Sequence, residues 1–259
     1  MEFNVGKAHQ RIIREKISKT ESSGQLFGNY WEELNLSSEN AVVKKITRNA
    51  AKSIILEYEW LGTLPANCRE YVGLLFDGYV AGATCFTNVK FGGKYTVFNE
   101  PAWCLARGAC VHWAPKWAGS FLVSRSLKLL FGHKDPVYIV AYSDWSAGEI
   151  GTIYQACNWV YLGHQKTKEW IGPDGKRYDI NTPAVRAAPG FLKRKTGKQV
   201  KATKKQIQIE TNKMIEEGYK LQQGPTRGRY VYVAGKKGKK YKSMMNLLKS
   251  KSVDYPKRI

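Results

Sequence analysis

A chain of 259 residues with 43% hydrophobic and 12% aromatic content can bury one sizeable core with an appendage, or fold as two small domains. Its net charge is +21, and residues 190–259 hold 20 lysines and arginines against four acidic residues, which places +16 there and +5 in residues 1–189. No run is long enough to span a bilayer, the first residues lack the apolar stretch of a signal peptide, and five cysteines without a C-x-x-C pair argue against a disulfide framework or a thiolate zinc site.

The expected compartment is therefore the cytoplasm, with no membrane association. The basic segment implies a polyanionic partner, nucleic acid before an anionic membrane, with a solubilising charged face as the plainer alternative.

In chain order, residues 1–38 are expected as a helical lead and a polar loop. A β-branched run at 42–46 predicts a strand, and Thr47 then opens a helix through Ala51, Ile54, Ile55 and Tyr58. Two strands, 71–76 and 79–86, meet across Asp77-Gly78, a dipeptide suited to a tight hairpin. A strand at 102–112 leads through Trp113 to Ser120 into a helix marked by Phe121, Leu122, Ser124, Leu127, Leu130 and Phe131. Ala118, Gly119 and Ser120 fall at that helix N-terminus, where free N–H groups and small side chains suit an anion; an ordinary cap by Ser120 is the alternative. Further elements are a strand at 137–142 ending in Ser143-Asp144, a helix at 147–157, strands at 159–162 and 169–171, and a Pro173-Asp174-Gly175 turn into 176–180.

The order β, α, β, β, β, α, β, α, β, β, with an anion-cradling turn after the fourth strand, resembles the GNAT acyltransferase fold. The class expected is α+β: a mixed, splayed central sheet flanked by helices, with a small basic C-terminal appendage. The resemblance implies that the strands at 102–112 and 137–142 part to admit the pantetheine arm of acetyl-CoA or another acyl-CoA. Lys116, Ala118, Gly119 and Ser120 would hold its phosphates, although Phe121 stands where the family motif has a small residue. Ile153-Tyr154-Gln155-Ala156-Cys157-Asn158-Trp159 replaces the family's L-Y-x-x-x-G-F, with Asn158 at a position that tolerates left-handed geometry and Tyr154 expected to protonate the departing thiolate.

Five segments in order, at 58–65, 105–113, 141–144, 148–159 and 255–258, also resemble the Mom-type phage DNA modification proteins. That resemblance implies a DNA-acting transferase that adds a carbamoylmethyl group to the exocyclic amine of adenine and protects the phage genome from restriction. Asp144 would then accept a proton or hold a metal, and Arg107 would hold the donor or a developing negative charge. Some Mom-type proteins carry His-Tyr where Glu59-Trp60 stands here. Glu59 could ligate iron or another metal through oxygen, while His9, His112, His133 and His164 show no ligand spacing.

Each candidate has a structural alternative. Asp144 could cap the next helix, Arg107 could pair with Glu100, Tyr154 could pack its helix, and Glu149 would serve a helix macrodipole. His112 reads as a core histidine.

The chain divides on this reading into a catalytic domain at 1–189 and a basic element at 190–259. The latter comprises a linker at 190–201, a helix at 203–217, a strand at 229–234 and a last helix at 239–248. Lys193, Arg194, Lys195, Arg227, Arg229, Lys236, Lys237, Lys239 and Lys240 are expected on the phosphates of double-stranded DNA, with the target base extruded. Tyr230, Tyr232 and Tyr241 could stack on that base or belong to a core. Two rivals share the cleft: an N-acetyltransferase of protein or transfer RNA, and a catalytically silent GNAT-like nucleic-acid-binding module.

Overall fold

The computed structural model describes residues 2–3, 7–24, 30–65, 67–87, 96–180, 182–187 and 202–258. The 189/190 boundary, the 190–201 linker and Lys193, Arg194 and Lys195 lie outside the described residues. The described chain forms two compact units, one of residues 1–164 with 228–259 and the other of residues 165–227.

The first unit begins with β1 (Glu2–Phe3), α1 (His9–Gly24) and a 3-10 turn (Tyr30–Glu33), then β2 (Val42–Lys45) and α2 (Arg48–Tyr58). The Thr47 hydroxyl accepts from the Ala50 N–H at 3.2 Å, capping α2, and Ala51, Ile54, Ile55 and Tyr58 form its buried face as their spacing requires. β3 (Cys68–Phe76) and β4 (Tyr79–Thr87) form an antiparallel hairpin. Its turn holds Asp77 at φ 47° and Gly78 at φ 88°, both left-handed, as a two-residue hairpin of this type demands.

β5 (Thr96–Val97) pairs with β6 (Glu100–Cys110), which leads to α3 (Ala118–Phe131) and β7 (Val137–Asp144). The helix expected at 147–157 is replaced by a 3-10 turn (Trp145–Ala147) and a short α4 (Thr152–Ala156). Gly148 at φ 69° and Gly151 at φ 80° break the intervening backbone out of helical geometry. Glu149 thus lies ahead of the helix, so the macrodipole role expected for it does not apply. α4 ends as foreseen on Asn158 at φ 57°, with Asn158 N–H bonded to Gln155 O and Trp159 N–H to Tyr154 O, a Schellman closure that fixes the turn carrying Tyr154.

β8 (Val160–Ile171) is one strand where two short ones were expected, and β10 (Lys220–Ala234) begins nine residues before the strand expected at 229. Within the first unit the strand order is β2-β3-β4-β6-β7-β10-β8, so part of the basic C-terminal segment supplies a strand of this sheet. The sheet is mixed, because β6 and β7 are parallel while β2, β3, β4 and β6 are antiparallel neighbours. One core cluster joins Ile55, Leu74, Phe86, Leu122, Phe131 and Trp159; a second joins Tyr138, Val140, Val231 and Val233 to Met244 and Leu248 of α7 (Lys239–Ser250). β11 (Lys257–Arg258) pairs with β1.

In the second unit, the far end of β8 pairs antiparallel with β9 (Arg177–Asp179) around a turn closed by Gly172 N–H to Lys176 O at 2.9 Å. α5 (Thr182–Ala187) packs on α6 (Lys204–Glu216), whose start is a reciprocal capping box of Thr203 and Gln206. Arg186 bonds Glu217 at 2.6 Å and lies over the Tyr219 ring.

Candidate active site and basic surface

The site begins where the sheet opens. β6 and β7 pair only from Ala102↔Tyr138 to Cys104↔Val140, yet β6 continues to Cys110 and β7 to Asp144. Val111 N–H bonds Ala81 O on β4, so by antiparallel alternation the backbone groups of Gly108 and Cys110 turn to the other edge, where β7 has left. Part of that edge is taken by α1: Gln10 Nε2 donates to Gly108 O at 3.0 Å, and Arg14 donates to His112 O and Ala114 O.

Arg107 lies in this stretch. Its guanidinium donates to Ala106 O at 2.6 Å and to Thr63 O at 3.2 Å, and its Nε stands 3.6 Å from Glu59 Oε2. The partner expected from sequence, Glu100, is replaced by Glu59 because the chain leaving α2 folds back across β6. Glu59 also accepts from the Leu61 N–H at 2.9 Å and is 7% exposed. Burial pushes its carboxyl up to about 7, with Arg107 opposing the rise and Glu149 adding to it.

Tyr154, half-buried on α4, packs against Trp159 and Tyr230 with ring centroids 5.2 Å away in each case. Burial raises its phenol well above the ordinary value, helped by Cys104, Glu149 and Glu59. Arg107 and Glu59 are thus paired directly, while Tyr154 is held by Trp159 and Tyr230. Sequence reasoning gave Glu149 a helix-macrodipole role and did not single out Thr63; the Gly148 and Gly151 breaks flanking Glu149 were the available signal against that helix.

Asp144 sits at the end of β7, 7% exposed, accepting from Ser146 N–H at 3.0 Å and from Ser146 Oγ at 2.6 Å, and so caps the 3-10 turn. His112 is held between Tyr58, whose hydroxyl is 3.0 Å from Nδ1, and Glu21, 2.8 Å from Nε2; it is a paired, partly buried histidine, as expected.

At the start of α3 the cap residue is Trp117 and no side chain caps the helix; the Ser120 hydroxyl donates instead to Trp117 O at 3.0 Å, which excludes the Ser120 cap. A Cβ on Gly119 would stand 2.8 Å from Ile153 Cδ1, so this glycine serves the close packing of α3 on α4. Ser120 opens instead onto a groove of about 600 Å³ along α3 and the end of α4, lined also by Trp117, Phe121, Ser124, Arg125 and Lys128. Of the four residues expected at a phosphate cradle, Ser120 alone lines this groove; Lys116 is exposed and Ala118 is buried.

Among the described residues no three His, Cys, Asp or Glu side chains are grouped to hold a metal ion, and Glu59 is committed to Arg107 and Leu61. The donor set at Glu59 does not fit an iron site.

Lys236, Lys237, Lys239 and Lys240 are exposed at the entry to α7, whereas Arg229 turns inward to Thr96 O at 2.5 Å. Arg227 belongs to the second unit. Tyr230 is fully buried, its hydroxyl bonded to Ile150 O, so it belongs to the core and is unavailable for stacking; Tyr232 and Tyr241 are partly buried.

The fold is thus a mixed α+β sheet whose β6 and β7 part, with a buried Glu59 paired to a partly buried Arg107 on the parted stretch and lysines clustered at the start of α7. The profile of the Mom protein family matches residues 40–257, and the chain belongs to that family. It is on that basis a phage DNA modification protein with DNA as its substrate. A search of curated proteins finds no match. No described helix is long and apolar enough to cross a membrane.

Replacing Lys236, Lys237, Lys239 and Lys240 together by glutamine should weaken DNA binding without regard to sequence. The slope of log affinity against log salt should shrink by about 0.9 for every phosphate that is no longer neutralised. Fluorescence anisotropy over a salt series measures both, and an unchanged slope would move the DNA surface elsewhere.

Proposed function

We propose that this chain transfers an acyl group from acetyl-CoA or another acyl-CoA to the exocyclic amine of adenine in double-stranded DNA, in the host cytoplasm; a carbamoylmethyl product, joined through a saturated carbon and carrying an amide nitrogen, would require a separate nitrogen donor beyond the thioester. The observation that supports it most is the Glu59–Arg107 pair, 3.6 Å apart on the stretch of β6 that β7 has left. An acyl thioester, when bound, supplies an activated carbon and a thiolate leaving group.

The groove fits the nucleotide end of such a donor: Arg125 and Lys128 match its phosphates, Ser120 and Ser124 offer hydroxyls, and Trp117 and Phe121 offer ring faces. At neutral pH roughly half of a carboxyl titrating near 7 is ionised, so Glu59 can take the proton that the amine sheds as its new bond forms. Tyr154, held protonated by burial, can give a proton to the leaving sulfur. Arg107 supplies positive charge beside the reacting centre, and Asp144 holds the turn from β7 toward Glu149. The base is extruded to reach this cleft, since positioning dominates the rate of such a transfer.

The deciding experiment is mass spectrometry of nucleosides in DNA from cells expressing the chain. A new mass on deoxyadenosine is expected, lost with Asp144→Ala and Tyr154→Phe while DNA binding persists. Labelled protein or transfer RNA with unmodified DNA would replace this reading by N-acetyl transfer, and no labelling of any of them with DNA binding intact would make the chain a silent binding module.

A further inference from the structure

Cys68 opens β3 and Cys85 lies on the neighbouring strand β4. Both are buried and free, and their sulfurs are 3.1 Å apart and hydrogen bonded. In regular pairing the two would be diagonal neighbours, since Cys68 faces Thr87 and Cys85 faces Tyr71. The register shift between Cys68 and Glu70 breaks that regularity at the point where the sulfurs meet. A disulfide needs a sulfur separation of about 2.0 Å, so the pair stands roughly 1 Å from bonding.

The surroundings favour reaction at Cys68. The hydrogen bond to Cys85 lowers its thiol below the ordinary value, and Arg107 and Arg48 add to this against the cost of burial, while Cys85 is pushed up by the same hydrogen bond. The pair also abuts the candidate site. Cys85 is the register partner of Arg107, and Cys68 N–H is bonded to Pro65 O, at the end of the segment that carries Glu59 and Thr63.

We propose that Cys68 and Cys85 form a reversible disulfide under peroxide, a redox-modification site built against the Arg107 side of the cleft. The Cys68 sulfur attacks one oxygen of hydrogen peroxide, forming an S–O bond as the O–O bond breaks, and the departing hydroxide leaves as water with the thiol proton. The Cys85 sulfur then attacks the resulting sulfenic acid, forming the S–S bond as the S–O bond breaks, and the second water carries away the Cys85 proton. Two thiols lose two electrons, and one peroxide becomes two waters. A small oxidant suits the site, because Cys68 is 6% exposed and Cys85 is 0% exposed.

The test treats the reduced full-length protein with graded hydrogen peroxide and follows it by intact mass and peptide mapping, independently of any transfer assay. The expected result is loss of two hydrogens, about 2 Da, with the Cys68 and Cys85 peptides linked and both thiols restored by dithiothreitol. In Cys85→Ser, Cys68 should instead be trapped by dimedone as a sulfenic acid. The proposal is overturned if Cys68 and Cys85 still alkylate fully after denaturation at peroxide doses that oxidise Cys104, Cys110 or Cys157. It is equally overturned if the link joins a different pair.

Discussion

Glu59→Gln should slow base modification by about 10²- to 10⁴-fold, the range for removing a positioned general base. Glutamine keeps the shape and can still meet Arg107 and the Leu61 N–H, so DNA binding should persist and the loss should fall on the chemical step. The wild-type rate should rise as pH passes through about 7, where Glu59 loses its proton, and the glutamine variant should lack that rise. Stability carries the opposite sign. The folded carboxyl titrates above its ordinary value of 4.5, so the advantage of burying it protonated is full below 4.5 and is lost as pH climbs through 7. Wild-type protein should lose stability between pH 5 and pH 8 from this group, and Glu59→Gln should flatten the slope. Rate profiles and thermal melts over that range check both signs; an unchanged rate profile in the variant would assign the titration to another group.

Gly151→Ala should be among the most destabilising single changes in the first unit. Gly151 has φ 80°, and an added Cβ would lie 2.3 Å from Cε2 and 2.4 Å from Cζ of the buried Tyr230 ring. The backbone penalty is about 1–3 kcal/mol and overpacking adds about 1–3 kcal/mol. Since the Tyr230 hydroxyl bonds Ile150 O, the strain falls on the junction that sets α4, and Tyr154 with it, against β10. Gly78→Ala is the control: its φ is 88° but nothing lies within 4 Å of the added carbon, so it should cost the backbone share alone. Thermal unfolding of the two variants compares them directly. Equal losses would mean that the Tyr230 packing contributes nothing.

The sequence by itself determined what short-range rules govern. Thr47 and the spacing of Ala51, Ile54, Ile55 and Tyr58 defined α2, Asp77-Gly78 defined the hairpin, and Asn158 was foreseen in left-handed geometry at the end of α4. Ordered segments across most of the chain likewise pointed to the Mom family, whose profile covers residues 40–257. Tertiary structure alone decided the rest. The helix expected from 147 dissolved around Gly148 and Gly151, and β10 took its place between β7 and β8 although some 75 residues separate its start from the end of β7. Arg107 found Glu59, where a reading along the strand offered Glu100, because the connection from α2 to β3 crosses over β6. Caps and hairpin turns are settled by groups a few residues apart, whereas strand neighbours and buried ion pairs depend on which distant segments share the core. No local propensity encodes that choice.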